Sequence, residues 1–156
     1  MGLRQDVLNE PVSSLPLRES IAVEPETVVR DAVRMMNDKR LGCVVVVDRE
    51  QRPIGTFTEL ALIEALLDDP DAMNQRVGEH LTAQWDSVKQ SMPIASVIES
   101  MQTQNLRFVV VKDDDGRAVG LTGQRGVCEY IAEHFPDTAM RTRVSKRPYV
   151  DQREGA

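Results

Sequence analysis

The sequence predicts an α/β protein made of two tandem repeats, each running strand, helix, strand, strand, helix, packed about a pseudo-twofold axis. Three observations predict it. An offset of 65 residues aligns residues 23–67 with 88–132 without a gap, and ten identities fall in those 45 positions, among them Val44/Val109, Val45/Val110, Val46/Val111 and Gly55/Gly120. Each copy then places apolar residues at helical spacing ahead of a mostly β-branched run, and that run ends in a polar turn. A three-stranded sheet carrying two helices has one face it cannot bury alone, so the two copies are expected to share one core.

In the first copy Ser20–Val23 reads as a short strand. Pro25 and Glu26 open a helix whose buried face is Val29, Ala32, Val33 and Met36. Cys43–Val47 is a continuous apolar run bounded by polar residues, as expected for a strand covered on both faces. A turn over residues 48–53 leads to a strand at Ile54–Phe57 and a helix at Leu60–Leu67. The second copy gives a strand at Val88, a helix at Ile94–Met101, a strand at Phe108–Val111, a turn at Asp113–Gly116, a strand at Val119–Leu121 and a helix at Val127–Glu133. The expected organisation is repeat 1 over residues 10–70, repeat 2 over 71–134 and a tail over 135–156.

Composition narrows the function classes. The 156 residues are 41% hydrophobic and 28% charged, within the globular range, but only 4% aromatic, so the core rests on aliphatic side chains. The net charge of -6 opposes association with nucleic acid or an anionic membrane, although residues 137–156 hold five Lys and Arg against three Asp and Glu. No run approaches the ~18 apolar residues of a membrane span, and the start lacks the apolar stretch of a secretion signal, so a cytoplasmic protein is expected. Cys43 and Cys128 lie far apart in apolar segments and read as buried free thiols. His80 and His134 have no ligands at metal spacing, and Asp113–Gly116 lacks the later ligands of a calcium loop. Trp85, which begins the second copy's first strand, is expected to pack against the core or a partner.

Two stretches, Gly42–Asp48 with Ile54–Thr58 and Phe108–Asp113 with Val119–Gly123, resemble the cystathionine-β-synthase-type (CBS) family. The resemblance covers roughly residues 10–134, and its specificity comes from two copies at a fixed offset. It implies tandem CBS repeats that form matching halves of a disc, with AMP, ADP or ATP in the clefts between them, and pairing of two chains into a homodimer. The ending, Gly123–Gly126 and Tyr130–Pro136, resembles CBS pairs that stand alone without an effector domain.

The family's binding pattern is Gly-x-x-Thr/Ser-x-x-Asp, with a Ser or Thr three residues before the proline that opens the first helix. A hydroxyl and free amides at a helix N-terminus suit phosphate, and a carboxylate suits the ribose hydroxyls. Gly55 and Thr58 match in the first repeat, but Ala61 stands in place of the Asp and Ala22 in place of the early hydroxyl. Ser87 and Gly120 match in the second, whereas Gly123 replaces Thr and Gly126 replaces Asp. Arg125 falls where many members carry an Arg able to fork onto phosphate. Plainer readings stand beside each: Thr58 as a helix N-cap, Ser87 as a strand hydroxyl, the glycines as turn residues, Arg125 as a solvated charge. The function expected is a regulatory adenine-nucleotide-sensing module, without enzymatic activity, acting on a separate partner protein. The alternative is a structural or interaction scaffold whose clefts no longer bind nucleotide.

Overall fold

The computed structural model describes residues 2–136, so the basic tail lies outside the described residues from 137 onward. In chain order the elements are α1 (Leu3–Asn9), β1 (Ala22–Val23), α2 (Val29–Lys39), β2 (Cys43–Val47), β3 (Pro53–Thr58), α3 (Glu59–Asp68), β4 (Ser87–Lys89), α4 (Ile94–Gln104), β5 (Phe108–Lys112), β6 (Ala118–Gly123) and α5 (Gln124–His134). Short 3-10 turns at Val12–Ser14, Ala72–Asn74 and Val77–Glu79 precede the first strand of each repeat. The tandem α/β architecture is as the sequence predicts; α1 and the 3-10 turns are additions that it did not signal.

Each repeat forms its own sheet, in the order β1-β2-β3 and β4-β5-β6, with a parallel first pair and an antiparallel second pair. The hairpins are copies of one another. Asp48 Oδ1 accepts the Glu50 and Arg52 amides at 2.9 Å, and Asp113 Oδ1 accepts those of Asp115 and Arg117 at 2.9 Å. These Asx turns satisfy backbone donors that the sheet leaves free. The acidic triplet is therefore a turn device.

The apolar run of β2 is explained by two different neighbours. Val44 and Val46 face the helices of their own repeat, whereas Cys43, Val45 and Val47 face the other sheet. Alternation along β5 does the same, with Val109 and Val111 on the helix side and Val110 joining Leu121 on the sheet side. Instead of one shared core there are thus three: one per repeat, and a thinner one between the sheets, against which Trp85, Phe108 and Ala118 pack. Burial also pushes the Cys43 thiol up to about 12 from its ordinary 9.0, because a thiolate there would be stripped of water. Cys128 departs from expectation and is exposed.

The halves are tied by an exchange of leader segments. Val12 donates its amide to Met92 O at 2.8 Å, Ser13 to Gln90 O at 3.0 Å, and Ile94 to Glu10 O at 2.9 Å. The twofold-related bonds run from Val77 to Thr27 O at 2.8 Å, Gly78 to Pro25 O at 2.9 Å, and Val29 to Gln75 O at 2.9 Å. Each leader thereby supplies a carbonyl to a helix amide that has no partner within its own helix. This moves the start of α2 from Pro25 to Val29: residues 24–27 form a turn, and the helix begins where Gln75 O receives its first amide. Val12 and Leu15 belong to the C-terminal core and Val77 to the N-terminal core, so each repeat is completed by the segment preceding the other.

Candidate functional site

Two adjoining clefts open between the repeats, related by the pseudo-twofold axis. Cleft A, about 310 Å³, is walled by the N-terminus of α5 (Gly123–Gly126), the first leader (Pro16, Arg18) and residues Arg40 and Arg107. Cleft B, about 510 Å³, is walled by the N-terminus of α3 (Thr58–Ala61), the second leader (Thr82–Gln84) and the stretch Gln104–Phe108. Gly42, Glu59, Arg107 and Phe108 border both, so the two volumes meet at the axis.

Of the residues singled out by sequence, Thr58 and Ala61 line cleft B, while Gly123, Arg125 and Gly126 line cleft A. Gly55, Gly120, Ser87 and Ala22 are not among the residues lining either cleft. The two β-strand glycines have a different use. A Cβ on Gly55 would come within 3.0 Å of Leu81 Cδ1, and one on Gly120 within 3.1 Å of Arg18 O, so both allow a leader to cross the sheet at close range. Ser87 is half-buried in β4, its amide donating to Asp86 Oδ1 at 2.8 Å. Asp86 also accepts from Ser100 Oγ at 2.5 Å and from Gln104 at 3.2 Å, which fastens the start of β4 to α4.

The helix starts differ between the clefts. Thr58 is the N-cap of α3, its hydroxyl oxygen accepting the Ala61 amide at 3.3 Å. At the equivalent place in α5, Gly123 has no side chain to cap with, so the first-turn amides lack a side-chain acceptor. Arg125 Nε donates to Glu129 Oε1 at 3.1 Å across one helical turn, with both side chains well exposed, a pair of small energetic weight that a stronger anion can displace.

Four cleft-lining groups were not signalled by any motif: Arg18, Arg40, Arg107 and Thr122. The three arginines come from three separate segments, and Thr122 sits on β6 beneath α5. The 65-residue offset held the signal, since Arg18, Arg40, Arg107 and Arg125 correspond to Ala83, Asn105, Gly42 and Leu60. The two histidines are structural here. His80 shares a 2.5 Å hydrogen bond with Gln75, and His134 bonds Tyr130 O at 3.0 Å while stacking on its ring. Among the described residues no group of three or more His, Cys, Asp and Glu could hold a metal ion, and no helix is long and apolar enough to cross a membrane.

Paired sheets, exchanged leaders and twofold-related clefts at helix N-termini define a tandem-repeat α/β module. The sequence model of the CBS domain matches residues 12–68 and 77–133, so the chain belongs to the CBS domain family. It is 24% identical to a CBS-domain containing protein from Agrobacterium tumefaciens, covering 72% of this chain and 84% of that one, with a TM-score of 0.63. A CBS domain protein from Pyrobaculum aerophilum, complexed with AMP, is 22% identical over 76% of this chain and 90% of its own, with a TM-score of 0.69. An uncharacterised 17.7 kDa protein of Acidianus ambivalens is 21% identical over 126 residues, 78% of this chain and 73% of that one.

Proposed function

We propose that this chain is a regulatory adenine-nucleotide-sensing module that acts on a separate partner protein in the cytoplasm. The observation that carries the reading is the placement of the repeat-related segments Thr58–Ala61 and Gly123–Gly126, each at a helix N-terminus and each bordering one of two adjoining clefts. Helix N-termini suit phosphate, and Leu60, Ala61, Leu106 and Phe108 offer cleft B an apolar wall for a base. The AMP complex of the Pyrobaculum relative supports a nucleotide of this size. Ligand in cleft A would touch the first leader and α5 together, and so bias the contact between the halves that a partner reads.

The expected result is a rise in melting temperature of the full chain with AMP, ADP or ATP, amounting to about 2.7 kcal/mol of stabilisation at a hundred times the dissociation constant. S-adenosylmethionine belongs in the same panel as an adenosine ligand without phosphate. Ala61→Asp restores a carboxylate at the third position of α3, where the helix dipole favours it, and is expected to tighten nucleotide binding in cleft B about 10-fold. The scaffold reading has its own observation: both ribose carboxylates are replaced, and the oxygen of Thr58 is engaged by its own helix. No shift with any adenine nucleotide at millimolar concentration hands the function to the scaffold.

The homodimer is proposed through α3. Leu60, Ile63 and Leu67 lie on one outward stripe at 61%, 54% and 81% exposure, with Leu66 beside them. In α5, by contrast, Val127 and Tyr130 are buried in the C-terminal core, which Ile131 also joins, so that helix has no comparable apolar stripe. Sedimentation of the full chain at micromolar concentration is expected to give a dimer, and Ile63→Glu with Leu67→Glu a monomer. A wild-type monomer there removes the dimer.

A further inference from the structure

The geometry points to cleft A as a receptor for a triphosphate group, so that the module discriminates ATP from AMP by phosphate count; this rests on the nucleotide-sensing reading and adds to it which ligand is sensed and by which cleft. The first ground is an asymmetry of charge between two clefts that the fold makes equivalent. Four guanidiniums, from Arg18, Arg40, Arg107 and Arg125, border cleft A against the two carboxylates of Glu59 and Glu129. Cleft B has only Arg107, against Glu59 and Glu64. At every twofold-related position the arginine of cleft A is replaced by an uncharged residue, so the repeat scaffold does not require these cations. Among the described residues only Arg125 of the four has a carboxylate within 4 Å, its own helix neighbour Glu129.

The second ground is independent of charge. Thr122 is 5% exposed, lines cleft A, and its Oγ1 is the one buried side-chain polar atom without a hydrogen-bond partner among the described residues. A buried hydroxyl left unpaired is costly, and such groups mark places where a ligand supplies the missing partner. It sits under the open first turn of α5: a Cβ on Gly126 would lie 2.7 Å from this oxygen, and Gly126 has none. The family's ribose Asp at this position would therefore collide with Thr122 or displace it. Cleft A thus replaces a carboxylate suited to ribose with an unpaired donor, uncapped helix amides and four guanidiniums, all of which favour phosphate oxygens. A triphosphate, with its longer chain and greater charge, offers arginines drawn from four segments more oxygens to engage than a monophosphate does.

The test is calorimetry on the full chain with AMP, ADP, ATP and inorganic tripolyphosphate, in metal-free buffer at low and at high ionic strength. Affinity is expected to rise at least about 10-fold from AMP to ATP, to fall steeply with salt for ATP only, and tripolyphosphate is expected to compete with ATP. Arg40→Ala and Thr122→Val should each lower ATP affinity more than AMP affinity, with thermal melts showing that both variants remain folded. Equal, salt-insensitive binding of AMP and ATP overturns the inference and leaves the nucleotide reading standing. Binding of tripolyphosphate without any nucleotide overturns that reading and keeps the polyphosphate site. If neither binds, both fall.

Discussion

Residues 1–70, expressed alone, are expected to show no cooperative thermal transition, and mixing them with residues 71–136 is expected to restore one. The fragment keeps β1, β2, β3, α2 and α3 but loses the segment that finishes their core. Val77, fully buried against α2 in the N-terminal core, is gone, as are the carbonyl of Gln75 and the amides of Val77 and Gly78. The sheet face of Cys43, Val45 and Val47, wholly or almost wholly buried against the other repeat, turns to water. Val12 and Leu15 are left with no core to enter. Exposing these five apolar side chains at roughly 1.5–3 kcal/mol each cancels the 5–15 kcal/mol that stabilises a typical domain. Circular dichroism of the two fragments, separately and mixed, reads the outcome; a sharp transition from monomeric 1–70 would falsify the interlocked architecture.

How much of this was legible in the sequence depends on the kind of force involved. The strands β2 and β5 were legible because burial on both faces writes an unbroken apolar run, and the offset because the two hairpins use the same Asp at the same place. The exchange of leaders was not, since it is made of backbone bonds such as Val12 to Met92, to which any side chain is compatible. The start of α2 carries no local mark for the same reason: its first amide is satisfied from residue 75, far outside the reach of a local cap. In the site, the Gly-x-x-Thr pattern points to the starts of α3 and α5, which border the two clefts, because helix N-termini are local features. It also pointed to Gly55, Gly120, Ser87 and Ala22, which do not line the clefts. The cations of cleft A form no local motif because they converge only in three dimensions, although the two repeats differ at each of these positions. Helix α3 is richer in apolar residues than α5, but only packing shows which of them point outward, with Ala61 and Ala65 as the buried face of α3 and its larger leucines outside.

Gly123→Ala is expected to destabilise the protein by about 3 kcal/mol, near the upper end for overpacking, and to lower its melting temperature by roughly 10 °C. Conformation is not the reason. Its φ of 173° is extended backbone that any residue adopts. Space is the reason: a Cβ built there falls 2.1 Å from Arg107 O and 3.2 Å from Arg107 C, both backbone atoms of the segment entering β5. Gly123 pairs with Phe108 in the β5–β6 ladder, so relief requires the end of β6 to move off β5. That movement also shifts the start of α5, which follows directly, and with it cleft A. Gly42→Ala is the control, because the nearest atom to its Cβ is the end of the Glu59 side chain at 3.2 Å, which can rotate away. Its expected cost is under about 1 kcal/mol. Thermal melts of the two variants decide the matter: if they lose the same stability, the close approach of β6 to Arg107 is wrong, and with it the backbone frame on which cleft A is built.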